Sequence, residues 1–139
     1  MAFDGTDVHA GDELDPLTVS LTRESVVRYA GASTDFNPIH YSDRKATELG
    51  LDGVLVHGMW TMGTALRVVT DWCENPDRVA SYSLRFTKPI FVPDTDEGVQ
   101  VQFSGSVKSV EDGLATVVLD ARAADQKVLG MVQVGVRLD

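Results

Sequence analysis

Gly58–Trp72 reads GMWTMGTALRVVTDW, and the period of this stretch decides the fold. Met59, Met62, Leu66 and Val69, with Ala65 beside them, recur every three or four residues, the spacing of one helical face. Thr61, Thr64, Arg67 and Thr70 are the main interruptions in an otherwise apolar circumference. A helix apolar nearly all round is buried on most sides, so something larger must wrap it. Asn75-Pro76-Asp77 closes it, because proline lacks the N–H that another turn would need.

On the C-terminal side the period changes from 3.6 to 2. Tyr82, Leu84 and Phe86 alternate with Ser81, Ser83 and Arg85; Val99, Val101 and Phe103 with Gln100, Gln102 and Ser104; Val132, Val134, Val136 and Leu138 with Gln133, Gly135 and Arg137. Asp112-Gly113 is a hairpin signal ahead of LATVVLDARA, and DQKVLG, from Asp125 to Gly130, makes the next turn. With LDPLTVSL near the start, the patterns predict about five strands in a mainly antiparallel sheet, apolar on one face. One long helix on that face makes an α+β chain, expected to form a single domain over residues 1–139. Such a sheet leaves two edges open, so pairing with a second copy or a related chain along an edge is expected.

On the N-terminal side LTRESVVRYAGAS predicts a short helix capped by Thr22 and ended by Gly31. A loop, TDFNPIHYSD, follows, in which Pro38 pushes Asn37 out of the helical region. Ser42 caps a second short helix, DRKATELG, that stops at Gly50.

The 139 residues carry 21 acidic against 12 basic side chains, a formal charge of −9. That balance argues against nucleic acid or an anionic membrane as the main partner. A single cysteine, Cys73, cannot form an internal disulfide, and the acidic start MAFDGTDVHAGDELD is unlike a signal peptide, so the cytoplasm is the expected compartment. No apolar run approaches the ~20 residues of a membrane span.

Asp35 and His40 flank the Asn37-Pro38 turn, which confines the backbone enough for both side chains to converge. Together they suit proton transfer, from a C–H bond or to and from a water. The plainer alternative is that Asp35 caps a turn while His40 satisfies a buried carbonyl. Gly58, at the start of the long helix, leaves its N–H uncovered at the positive end of the macrodipole, a donor for a carbonyl oxygen that gains charge. The alternative there is close packing at Gly58 with His57 as a helix cap. His40, His57 and Asp35 form a ligand set of two histidines and a carboxylate, but their spacing is not that of a helical pair and no fourth ligand is near, so no metal is expected. Cys73 belongs to packing, and His9 to the surface.

ASTDFNPIHYSD (Ala32–Asp43), then HGMWTMG (His57–Gly63), then YSLRFTKPIFVPD (Tyr82–Asp94) resembles the MaoC-like (R)-specific enoyl hydratase/dehydratase family, whose fold is the hot-dog fold. The likeness spans about residues 20 to 138 and is greatest to the catalytic B subunits of mycobacterial-type (3R)-hydroxyacyl-ACP dehydratases. The resemblance implies a five-stranded sheet wrapped around one central helix, and a hydro-lyase acting on acyl thioesters in fatty-acid synthesis. It implies that Asp35 and His40 form a dyad around one water and that the Gly58 N–H polarises the thioester carbonyl. It also implies that Asn37 shapes the loop and that Met59, Trp60, Met62 and Gly63 border the acyl chain. No cofactor is implied, since CoA or a phosphopantetheine arm arrives with the substrate. The partners it implies are a second identical chain or a non-catalytic hot-dog subunit, and an acyl carrier protein.

Some members carry a hydroxyl or small residue eight positions past the glycine, where this chain has Leu66. Two other functions stay open on this fold: a non-catalytic acyl-binding or regulatory subunit, and a thioesterase, which is disfavoured because GMWTMGTALRVV offers no acid. Arg44, Lys45 and Lys88 are candidates for meeting the carrier's phosphate.

Overall fold

A computed structural model describes residues 2–139. In chain order it contains β1 (Glu13–Leu21), α1 (Arg23–Ser33), α2 (Asp43–Glu48), α3 (Gly58–Cys73), β2 (Val79–Phe86), β3 (Val99–Glu111), β4 (Leu114–Ala123), β5 (Gln126–Lys127) and β6 (Leu129–Arg137). The expected five-stranded path runs β1-β3-β4-β6-β2, antiparallel throughout, and the two-residue β5 folds back on β4. The sheet wraps α3, which contacts β1, β2, β3 and β4. This is the hot-dog arrangement.

Alternation along the strands builds the core. Val101, Phe103 and Val107 of β3, Ala115, Val117, Leu119 and Ala121 of β4, and Val132, Val134 and Val136 of β6 are buried with Ala65, Val68, Val69 and Cys73 of α3. Each fully buried valine or larger side chain removes enough apolar surface from water to stabilise the fold by about 1.5–3 kcal/mol. The face of α3 that enters this core differs from the expected one. Thr61, Ala65, Val68, Val69 and Cys73 are its buried positions, Met62 and Leu66 are half-buried, and Met59 is 59% exposed. The sheet covers one side of the helix only, so Met59, Gly63, Arg67 and Asp71, four residues apart, form an open stripe.

Turn chemistry follows the residues closely in one place and departs in two. At the β3–β4 hairpin Asp112 and Gly113 have φ of 51° and 75°, the paired left-handed conformation of a tight hairpin. The next turn lies earlier than the expected Asp125–Gly130 stretch: Ala124 and Asp125 take φ of 49° and 59°, which frees Gln126 and Lys127 to pair with β4. Helix α1 likewise runs past Gly31 to Ser33 and ends where Thr34 turns left-handed at φ 60°. Its start is as expected, with Thr22 Oγ1 accepting from the Ser25 N–H and Ser25 Oγ accepting from the Thr22 N–H.

Across the sheet edge, the Tyr82 hydroxyl of β2 donates to the Met62 carbonyl of α3 at 2.6 Å, and burial pushes this phenol up to about 12. No helix among the described residues is long and apolar enough to cross a membrane.

Candidate active site

The left-handed Thr34 turns the chain out of α1 and into a short loop whose polar side chains bond their own backbone. Asp35 Oδ1 accepts the Asn37 N–H at 3.2 Å, and Asn37 Oδ1 accepts the Ile39 N–H at 3.2 Å, capping the single 3-10 turn Pro38–His40. Asn37 thereby helps set the path of the loop.

That turn delivers His40 to the interior, 8% exposed. Its Nδ1 lies 2.7 Å from the Leu55 carbonyl, while the Leu55 N–H donates to the Ile39 carbonyl at 3.2 Å. A carbonyl only accepts, so Nδ1 carries the proton and Nε2 the lone pair. This Nε2 faces Asp35 Oδ2 at 3.9 Å, too long for a direct hydrogen bond. The two atoms are therefore both open to one intervening water. Asp35 is half-exposed, so solvent reaches the pair from its side.

The third component comes from the segment leading into α3. Residues 54–57 are pinned by the Val56 N–H to the Ile90 carbonyl and by the Val92 N–H to the Val54 carbonyl, at 3.0 and 2.9 Å. His57 is the N-cap residue of α3, but its side chain does not cap the helix as the plain sequence reading held. The ring is instead 3% exposed, with Nε2 at 3.0 Å from the Asp35 carbonyl and its face stacked on His40, centroids 3.7 Å apart and planes inclined by 18°. With no side-chain cap, the Trp60 N–H turns back to the His57 carbonyl at 3.0 Å, and among the described residues no hydrogen bond engages the Gly58 N–H.

Gly58 opens onto a cavity of about 290 Å³ whose wall includes Leu55, Thr61, Phe86, Lys88 and Leu129. Its φ is not left-handed, so space, not backbone strain, explains the glycine: an added Cβ would lie 3.1 Å from the Phe86 ring. The bland packing reading and the donor reading of Gly58 are thus both compatible with its surroundings. Asp35 and His40 sit beside this cavity, joined to it through Leu55, and do not line it. Asn37, Met59, Trp60, Met62 and Gly63 do not line it either. Met59 and Gly63 lie on the open stripe of α3, and Trp60 packs half-buried against the core. Part of the cavity wall comes from Phe86 at the end of β2, the segment after it, and Leu129 at the start of β6, which sequence spacing does not place next to α3.

A shared metal ion fits this cluster poorly, although the ligating atoms of Asp35, His40 and His57 lie within 4.8 Å of one another. An imidazole lone pair lies in its ring plane. Two planes 3.7 Å apart and inclined by only 18° meet far beyond bonding distance of either ring. Of the cations picked out from the sequence, Arg44 and Lys45 pair with Glu48 at 3.1 and 3.5 Å, and Lys88 stands in the cavity wall with no ion pair among the described residues.

The sequence profile described as MaoC like domain matches residues 7–128. The beta subunit of the 3-oxo-4,17-pregnadiene-20-carboxyl-CoA hydratase of Mycobacterium tuberculosis is 36% identical over 92 residues, 66% of this chain and 67% of the subunit. The 3-hydroxyacyl-thioester dehydratase X of the same organism is 37% identical over 75 residues, 54% of this chain and 26% of that protein. A solved structure described as a MaoC-like dehydratase is similar with a TM-score of 0.93 at 34% identity, over 99% of this chain and 43% of its own. The chain thus spans 26% of the dehydratase and 43% of the solved structure.

Proposed function

The chain belongs to the MaoC-like domain family, and on that premise we propose that it interconverts (3R)-3-hydroxyacyl and trans-2-enoyl thioesters by reversible loss and addition of water. The observation that carries the reading is the unbonded pair of facing atoms, Asp35 Oδ2 and His40 Nε2, 3.9 Å apart, each held by a backbone bond at the opposite end of its side chain. In the dehydration direction His40 Nε2 takes the C2 proton, and the C–H electron pair becomes the C2–C3 double bond. The C3–O bond breaks with its electrons on oxygen, and the proton taken from C2 passes from His40 Nε2 by way of Asp35 Oδ2 to that oxygen, which departs as water with both groups back in their starting state. The Gly58 N–H donates to the thioester oxygen as it gains enolate character, at the positive end of α3. Hydration runs the same steps backward. The carrier arm comes with the substrate, so the reaction needs no resident cofactor.

The cavity reaches Gly58 without enclosing Asp35 and His40, which supports a site finished by a second hot-dog chain, identical or related. The relative named as a beta subunit supports the same view. Lys88 is proposed to meet the phosphate of CoA or of a carrier protein's arm.

Hydration of crotonyl-CoA, followed by loss of enoyl absorbance and run alone and with any co-purifying partner, tests the proposal. Asp35→Asn and His40→Ala should each lower kcat by about 10²–10⁴-fold, the range for a positioned acid or base. Wild-type activity surviving in both variants refutes the dyad. Release of free CoA without hydration would point to a thioesterase, and tight acyl binding without either reaction to a non-catalytic subunit.

A further inference from the structure

The proposed chemistry leaves His57 without a task, yet it is more deeply buried than His40, at 3% against 8% exposed. Its contacts run to both members of the dyad. Nε2 donates to the Asp35 carbonyl at 3.0 Å, and the ring face covers that of His40 at a centroid distance of 3.7 Å. The Tyr29 ring of α1 backs it at 4.9 Å.

The bond to Asp35 matters because of what else holds that loop. The other hydrogen bonds of residues 34–37 are local: Asp35 N–H to Ser33 Oγ, Asn37 N–H to Asp35 Oδ1, and the bonds that close the turn at His40. Among the described residues the His57 bond is the one hydrogen bond joining this segment to the rest of the fold. The bond also sets the tautomer. An acceptor carbonyl at Nε2 requires the proton there and leaves Nδ1 as a bare acceptor, which is buried without a partner. His40 is locked the opposite way by Leu55, with its proton on Nδ1. The buried, unpartnered Nδ1 is tolerated at a cost to stability, and in return the two rings stack with opposite tautomers and a single free lone pair facing Asp35.

We propose that His57 is a positioning residue, holding Asp35 opposite His40 through its Nε2–H while its ring face fixes the plane of the His40 imidazole. This rests on the Asp35–His40 reading of the site. Two substitutions separate the two contacts. His57→Phe keeps a stacking ring and loses the donor; His57→Gln keeps an amide donor near the Nε2 position and loses the ring.

The test measures kcat and KM of both variants beside wild type and Asp35→Asn, with circular dichroism to confirm folding. It also reads the imidazole ¹⁵N shifts of the wild-type chain, which report the tautomers without turnover. His57→Phe should lower kcat by about 100-fold with KM changed by less than about threefold, the effect of a misplaced catalytic group. His57→Gln should recover to within about tenfold of wild type, on the same scale of misplacement. The NMR should place the His57 proton on Nε2 and the His40 proton on Nδ1. Wild-type kcat in His57→Phe, no recovery in His57→Gln, or a His57 proton on Nδ1 would overturn the inference. The wild-type spectrum and His57→Gln decide the matter even where His57→Phe fails to fold. Full activity in Asp35→Asn would instead sink the dyad itself, with the tautomer measurement still judging the His57–Asp35 bond.

Discussion

Asp35 and His40 each bond the backbone at one end of the side chain and leave the other end free. Asp35 gives Oδ1 to the Asn37 amide and keeps Oδ2; His40 gives Nδ1 to the Leu55 carbonyl and keeps Nε2. The turn-capping reading and the proton-transfer reading, alternatives on spacing alone, are compatible here, because each concerns the opposite end of the same group. Gly58 divides in a similar way between packing and donation, and substitution separates the two. Alanine is favoured over glycine in a helix by about 1 kcal/mol, and its methyl meets the Phe86 ring at 3.1–3.4 Å. That ring is 55% exposed and can yield by a few tenths of an ångström. Gly58→Ala should therefore leave the melting temperature within about 3 °C of wild type, while kcat/KM falls by about tenfold because the methyl crowds the oxygen's approach to the N–H. An unchanged kcat/KM would show that no substrate atom comes near this amide.

The site depends on elements that carry no chemistry. Asp43, the first residue of α2, accepts the Val54 N–H at 2.9 Å and holds the Arg23 guanidinium of α1 at 2.9 and 3.0 Å, so one carboxylate ties α1, α2 and the segment leading to α3. The Val54 amide, and after it the Arg23 guanidinium, hold this carboxyl below its ordinary value of 3.8. A lowered folded value means that the stabilisation is present above pH 3.8 and is lost as pH falls through the depressed value. Asp43→Asn should cost about 1 kcal/mol at neutral pH, a modest figure because the pair is half-exposed. The gap between the variant and wild type should close as the solution is acidified below about pH 3.8; a gap that persists in acid would mean that the charge is irrelevant. Much at this scale was legible in the sequence because it is local: the long helix and the strands through their periods, the Asp112-Gly113 hairpin through its turn residues, the Asp35–His40 pair through the confining proline. His57 was misjudged as a cap because its acceptor is a main-chain carbonyl, which leaves no mark in side-chain spacing. The residues expected to border the acyl chain came from the resemblance, which says nothing of which face of α3 the sheet covers. The face of α3 that meets a cavity is set by Phe86 and Leu129, from strands whose approach is a tertiary fact.

The whole molecule leaves its two sheet edges in different states. Edge strand β1 carries Pro16 with Glu13 and Asp15, the residues that natural edges use against pairing. Edge strand β2, reading VASYSLRF, has no proline, and its one charge is Arg85. Its last residue, Phe86, is 55% exposed and packs near Gly58, whose neighbour Met59 is 59% exposed. An unpaired backbone row next to apolar surface favours association. A chain of the same kind laid antiparallel along β2 would continue the sheet and cover the exposed end of the cavity near Gly58. Sedimentation should therefore give about twice the 15.1 kDa of one chain, or a complex with a related chain. Lysines on an edge strand are a natural block to such pairing, and Ser81 and Ser83 are exposed positions of β2 where they cost the core nothing. The double substitution Ser81→Lys with Ser83→Lys should shift the assembly toward single chains at micromolar concentration and lower hydratase activity in parallel, with the circular dichroism of the fold retained. A wild-type chain that sediments at 15.1 kDa with no partner, or a doubly substituted chain that stays paired and active, would place the interface elsewhere.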